Sequence, residues 1–328
     1  MKGAPAEATG VSAALFPDLN LNSADDVARV LLAGTRANLG SGCRRGSIDA
    51  VEGPGRLIAT GDLHDNPLHL SRLVEAAGLG EGVLSRPARA DAVQSHLVLH
   101  EIIHSDRLVN GMDFSYRALA RVAALKAAHP EFVHTLLANH ELAQLTGADV
   151  MKGGVRCVRA FDAALEWVFG EEAGGVREAI AAFIRSMPLA LRVTCSGSAS
   201  GRVLLCAHSL PSPEMMGKFD PGILFRDLTE EDYRSRTGSA YMMVWGRRYD
   251  AEQLEDLVER WGVNLFLLGH DYSEGGVHVV PPNAVVLNSD HERGVYVPLD
   301  LSEVVSAEEV ARRAVPLGQS WEGGAEKS

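Results

Sequence analysis

"LVLHEIIHSDR", residues 97–107, reads in two ways, and the choice between them decides the fold. As a helix it sets His100 and His104 one turn apart with Glu101 beside them. That is the H-E-x-x-H arrangement of zinc proteases, in which two imidazoles hold the ion and a carboxylate activates water. Leu97, His100, Glu101, His104 and Leu108 then share a face, so helical periodicity does not reject this reading. As a strand ending near Leu99, the same stretch delivers Glu101 and His104 to a loop at the edge of a sheet, where α/β folds assemble their sites. The surrounding chain has to decide.

The 328 residues are 46% apolar and 23% charged, an ordinary globular composition with room for one large α/β domain or two modest ones. A formal net charge of −12 opposes a phosphate-backbone partner, so nucleic acid binding is not expected. Cys43, Cys157, Cys195 and Cys206 are scattered and form no C-x-x-C pair, which reads as reduced thiols. Neither a signal-type apolar region after Lys2 nor an uninterrupted membrane-length apolar run is present, so the expectation is a soluble cytoplasmic protein without a membrane partner.

Residues 1–55 read as an N-terminal arm: a helix capped by Ser23, then a Gly-rich linker, "GSGCRRGSIDAVEGPG". From residue 56 strand, loop and helix repeat. "RLIAT" runs into "GDLHDN", and Asn66-Pro67 caps the next helix. "HLVL" and "EFVHTLLA" are further buried runs, separated by a helix that Pro130 ends. A helical segment spans about 155–187, with Val176, Ile180, Phe183, Ile184 and Met187 on one face. "LALRVT" and "GRVLLCAHS" form a hairpin-like pair, Asp250 and Gln253 open a helix as a capping box, and "NLFLLGHD" is the next strand. "GVHVVPP", "AVVLNSD" and "GVYVPLD" alternate as closing antiparallel strands, and residues 316–328 read as a disordered tail after a domain at 56–315.

Five apolar runs end in metal-compatible residues: Asp62 and His64; His100, Glu101 and His104; Asn139, His140 and Glu141; His208; and His270 with Asp271. Asp62 and His64, one residue apart beyond a strand, can hold one ion in a cleft. A carboxylate from the next strand can bridge to a second, completed by an amide oxygen and two imidazoles. Such an oxygen and nitrogen shell suits Mn, Fe or Zn. Each piece alone is a common strand-end residue; five in series at strand ends point to one site.

The series "GDLHDN", "HEIIHSDR", "ANHE", "CAHS", "LGHD" resembles the calcineurin-like metallophosphoesterase superfamily, nearest its Ser/Thr-phosphatase-like branch. The resemblance covers about residues 56–300. It implies a four-layer αββα sandwich of two mixed sheets with two divalent metal ions at the sheet edge. It places Asp62 and His64 on one ion, Asn139, His208 and His270 on the other, and Glu101 between them. His140 becomes the general acid, and "VWGRR" supplies Arg247, with Arg248 in reserve, as the phosphate clamp. The second motif departs from the family's G-D-x-x-D-R-G. Glu101 stands for a shorter bridging aspartate, His104 for the aspartate that orients the acid, and Arg107 lies two positions beyond the usual arginine. Asp65 and Glu141 are read either as orienting ligand histidines or as solvated loop carboxylates, and His100 is expected to be structural.

The activity implied is phosphoester hydrolysis, of a phosphoprotein or small phosphoester, by in-line attack of a metal-activated water. Alternatives are a nucleotide or dinucleoside polyphosphate hydrolase, and an impaired protein that binds metal and phosphate as a regulator. The zinc-protease reading lacks a third ligand and leaves Asp62, His64, Asn139, His208 and His270 unexplained.

Overall fold

The structure, a computed structural model, describes residues 16, 19–79, 95–148, 150–197 and 201–318. Its strands, in chain order, are β1 Arg44–Arg45, β2 Ile48–Glu52, β3 Arg56–Thr60, β4 Ser95–Leu99, β5 Val133–Thr135, β6 Met151–Lys152 and β7 Val155–Arg156. They continue as β8 Ala190–Cys195, β9 Arg202–Ala207, β10 Leu265–Leu268, β11 Val277–Val280, β12 Ala284–Leu287, β13 Val295–Asp300 and β14 Val315–Pro316. One mixed sheet has the order β1-β2-β8-β9-β10-β12-β11 and the other β14-β13-β3-β4-β5, while β6 and β7 pair as a small hairpin.

Strand alternation builds the sandwich. Successive side chains point to opposite faces. Leu57 and Ala59 of β3, Leu204 and Cys206 of β9, and Leu265 and Leu267 of β10 therefore meet in one buried cluster between the sheets. Their neighbours Ile58, Leu205, Phe266 and Leu268 face outward into a second cluster with the helices. The helices there include α1 Ala24–Leu39, α2 Pro67–Ala76, α3 Tyr116–Ala128, α4 Asn139–Thr146, α5 Cys157–Phe169 and α6 Ala173–Ser186. α7 Ser239–Trp245 and α8 Ala251–Trp261 bury residues in the same cluster, and α9 Ala307–Arg312 follows β13. The result is the expected αββα architecture.

Caps match the sequence reading. Ser23, Asn66 and Asp250 each accept a backbone N–H from the first turn of α1, α2 and α8. Gln253 does not complete its capping box; its side-chain amide donates instead to the carbonyl of Pro211.

Three expectations change. The presumed linker is part of the larger sheet: β2 runs parallel to β8 over five residue pairs, from Ile48↔Ala190 to Glu52↔Thr194. Glycines and arginines around this short strand hid its pattern. The helix before it is packed too, with Val27 and Leu31 fully buried and α1 lying against α3 and α6. The closing strands do not form one antiparallel set, because β12 is parallel to β10 whereas β13 joins β3 in the other sheet. At the C-terminus, β14 pairs with β13 and Leu317 is 1% exposed, so the fold continues past 315; the rest of the expected tail, 319–328, lies outside the described residues.

Candidate metal centre

Adjacent parallel strands share their C-terminal edge, and this edge collects the site. β3 and β4 place Asp62 beside His100 in a parallel bridge, and Asp62 bridges Asn288 on its other side. The backbone N–H groups of Leu63 and His64 donate to the carbonyl of Glu101, at 3.1 and 2.8 Å. β9 and β10 likewise bring His208 and His270 together, with the Gly269 N–H on the His208 carbonyl at 3.0 Å. α4 begins at Asn139 and turns His140 and Glu141 inward. Five non-glycine residues here hold left-handed backbones: His64 (φ 41°), Asp65 (54°), Glu101 (49°), His104 (62°) and His270 (68°). Such conformations cost free energy and concentrate where a side chain must be aimed.

The aimed side chains converge. His208, fully buried, is the hub. Its Nε2 lies 2.7 Å from Asn139 Oδ1, 2.7 Å from Glu101 Oε2 and 3.1 Å from His270 Nδ1. Its Nδ1 lies 3.4 Å from Asp62 Oδ1. His64 Nε2 and His140 Nε2 approach Glu101 Oε1 to 4.0 and 3.4 Å. Donor atoms of Asp62, His64 and Glu101 lie within 4.8 Å of one another, as do those of Glu101, His208 and His270. Glu101 is common to both groups, and a further group of Asp62, His100 and His208 shares one residue with each of them.

The donor set fits a cation. Burial pulls the His208 imidazole towards neutrality, but the charges and hydrogen bonds of Glu101 and Asp62 overcome this and raise its pKa to about 10. Two buried carboxylates thus require positive charge in their midst. Asn139 Oδ1 faces acceptors, and only the turned-over amide would donate to Glu101 and His208. His270 Nε2 is buried without a hydrogen-bond partner among the described residues. Burial and His208 lower its pKa to about 3, leaving a neutral imidazole suited to coordination.

His100, noted among the strand-end residues but expected to be structural, groups with Asp62 and His208. Its Nε2–H donates to the Thr60 carbonyl at 2.9 Å, leaving the Nδ1 lone pair 3.1 Å from His208 Nδ1 and 3.6 Å from Asp62 Oδ1. Position after a strand was its signal, the same one that selected Glu101. The glycine at 269 makes room: a Cβ there would come within 2.4 Å of both Asp62 Oδ1 and His100 Cε1.

His104 stands between His140 and Gln144, within hydrogen-bonding distance of each. Gln144 donates through Nε2 to Asp162 at 3.0 Å, so its Oε1 receives the His104 Nε2–H at 3.1 Å. That network assigns His104 Nδ1 as an acceptor for the His140 Nδ1–H, 2.7 Å away. Burial, reinforced by His140, lowers the His104 pKa to about 3, and burial lowers His140 to about 4 despite Glu101. No single-sequence pattern links Gln144 to His104, forty positions away.

The remaining candidates divide. Glu141 makes no hydrogen bond to a histidine among the described residues. Its Oε1 accepts the N–H groups of Ile102 and Ile103, at 2.7 and 3.2 Å, and so holds the loop that aims Glu101. Burial and the Glu101 charge raise its pKa to about 7. Asp65 makes no hydrogen bond to a ligand histidine among the described residues; its carbonyl accepts from Arg107, and burial raises its carboxyl to about 6. Arg247 reaches the cluster, donating to the His270 carbonyl at 3.0 Å and to Asp271 at 2.7 Å. Arg248 is exposed, and no hydrogen bond joins it to the cluster among the described residues.

Residues 100–107 are not helical. His100 turns to Thr60 and His208 while His104 turns to His140 and Gln144, so the two imidazoles of H-E-x-x-H serve different networks. The zinc-protease reading is therefore wrong.

No protein-family model and no curated protein sequence matches the chain. Solved structures do. A Saccharomyces cerevisiae protein serine/threonine phosphatase with similarity to human phosphatase PP5 superposes with a TM-score of 0.59 at 13% identity, covering 85% of this chain and 83% of that one. A cold-active protein-tyrosine phosphatase of a Shewanella species gives 0.51 at 16% identity, over 78% of each chain. The chain has the fold of these phosphatases, and its buried histidines and carboxylates form groups that could hold a metal ion.

Proposed function

We propose that the chain is a metal-dependent phosphoester hydrolase with a dinuclear centre. The observation that carries this reading is Glu101, shared by two clusters of donors at the C-terminal edges of adjacent strands. Asp62 and His64 would hold one divalent ion, Asn139, His208 and His270 a second, with Glu101 available to both; the donors suit Mn, Fe or Zn. When bound, such a pair supplies Lewis acidity and a water acidified enough to attack phosphorus.

The chain's own residues do the rest. Arg247, partly exposed beside His270, offers its guanidinium to phosphate oxygens, and Arg107 stands on the Asp65 side. His140 presents Nε2 to the Glu101 side of the cluster, and only its imidazolium form carries on that nitrogen the proton a leaving oxygen would take. His104 orients that ring but offers no charge to stabilise its imidazolium. Weak acid assistance favours substrates whose leaving group departs unaided, such as aryl esters or phosphoanhydrides. Phosphotyrosine, which leaves as a phenol, fits this, as do the anhydride bonds of nucleoside di- and triphosphates and dinucleoside polyphosphates.

The test is p-nitrophenyl phosphate hydrolysis by metal-counted protein with added Mn²⁺, Zn²⁺ or Fe²⁺. About two ions per chain and turnover that vanishes in Asp62→Asn are expected. Metal binding with background turnover on every phosphate ester would replace the enzyme with a regulatory metal and phosphate binder.

A further inference from the structure

We propose that the chain carries a separate site for one thiophilic divalent ion of the Zn²⁺ class, built from His104, His140 and Cys157. One nitrogen of each imidazole and the Cys157 sulfur lie within 4.8 Å of one another, and all three residues are buried. The His104 and His140 Nδ1 atoms already face each other at 2.7 Å. Tetrahedral zinc with nitrogen at about 2.0–2.1 Å and sulfur at about 2.3 Å needs ligand atoms about 3.4–3.6 Å apart. Small ring and thiol rotations therefore close the site. None of its donors is one assigned to the dinuclear centre, and the thiolate makes it the softer of the two.

A cavity of about 130 Å³ adjoins it, lined by His104, Ser105, Asp113, Lys152 and Cys157 among others. Asp113 is 1% exposed, and its Oδ2 has no hydrogen-bond partner among the described residues. This orphaned oxygen is a ready acceptor for a water in the fourth coordination position. The Cys157 thiol is weakly engaged, with a contact of 3.9 Å to the Val155 carbonyl.

The balance is simple. The ion takes the Nδ1 lone pairs of both imidazoles. The proton shared between them moves to His140 Nε2, facing Glu101 Oε1 at 3.4 Å, and the thiol proton leaves to solvent. An ion on Nδ1 bars the imidazolium form of His140, so filling the site slows hydrolysis. That consequence rests on the function proposed above; binding of the ion does not.

Co²⁺ titrated into the full-length protein tests the site through thiolate-to-cobalt charge-transfer absorption. The band is expected in the wild type and in Cys43→Ser, and absent in Cys157→Ser and Cys157→Ala. With Mn²⁺-loaded protein and p-nitrophenyl phosphate, the Zn²⁺ concentration that halves the rate should rise at least about tenfold in Cys157→Ser, a shift of one decade or about 1.4 kcal/mol. No band in the wild type, or a band that persists without Cys157, overturns the proposal. A band that depends on Cys157 in a protein without hydrolysis supports the site and removes only the hydrolase reading.

Discussion

His104 and His140 share a hydrogen bond between their Nδ1 atoms at 2.7 Å, with Gln144 setting its direction. A neutral imidazole therefore occupies the place where a carboxylate would draw positive charge onto His140.

Restoring that charge should restore acidity. In His104→Asp the His140 pKa is expected to rise from about 4, because an adjacent carboxylate favours the imidazolium by about 1–3 units. The acid assistance so gained is worth up to about 10²-fold for alkyl phosphates and little for p-nitrophenyl phosphate. Rate–pH profiles on both substrates measure the difference; equal gains on the two would show that His140 is not the acid.

Glu101 joins the two donor groups. Glu101→Gln keeps the shape and removes the charge, so fewer than two ions per chain should be counted and hydrolysis should fall by about 10³-fold, some 4 kcal/mol of lost transition-state stabilisation. Metal analysis alongside the assay separates lost ions from misplaced ones.

Gly269→Ala puts a methyl into Asp62 and His100. Overpacking of this kind costs about 1–3 kcal/mol, and here it acts on a ligand. Weaker metal retention on dialysis is expected, with little change in far-UV circular dichroism.

Far from the centre, Asp49 is fully buried, accepting from His134 Nδ1–H at 2.8 Å and from Arg44 Nε at 2.9 Å. Burial pushes its carboxyl up, but His134, Arg44 and Lys126 outweigh this and hold it well below the usual carboxylate range. Its stabilisation is fully present above the unfolded pKa of about 3.9 and is lost as pH falls through the folded value. Asp49→Asn should cost about 3–5 kcal/mol at pH 7 by leaving buried charge unpaired. The urea midpoint of the wild type should fall more steeply below pH 4 than that of the variant.

Much of the centre was legible from residue order. Asp62, His64, Glu101, Asn139, His208 and His270 each follow an apolar run, and a strand's end is a place that sequence can locate. The second strand of the larger sheet was not legible, since Ile48–Glu52 is short and draws its stability from β8, about 140 positions away. The role of Glu141 was misread for a similar reason. Its partners are backbone N–H groups, which every residue carries and no motif distinguishes.

Sequence alone determined which metal-compatible side chains of this protein stand at strand ends, because residue type and strand position follow from residue chemistry and local periodicity. Tertiary structure alone decided that His100 lies beside Asp62, that Gln144 makes His104 an acceptor, and that Cys157 meets His104 and His140. These relationships depend on which strands and helices become neighbours and on how buried polar groups find partners, and both are settled only when the whole chain packs.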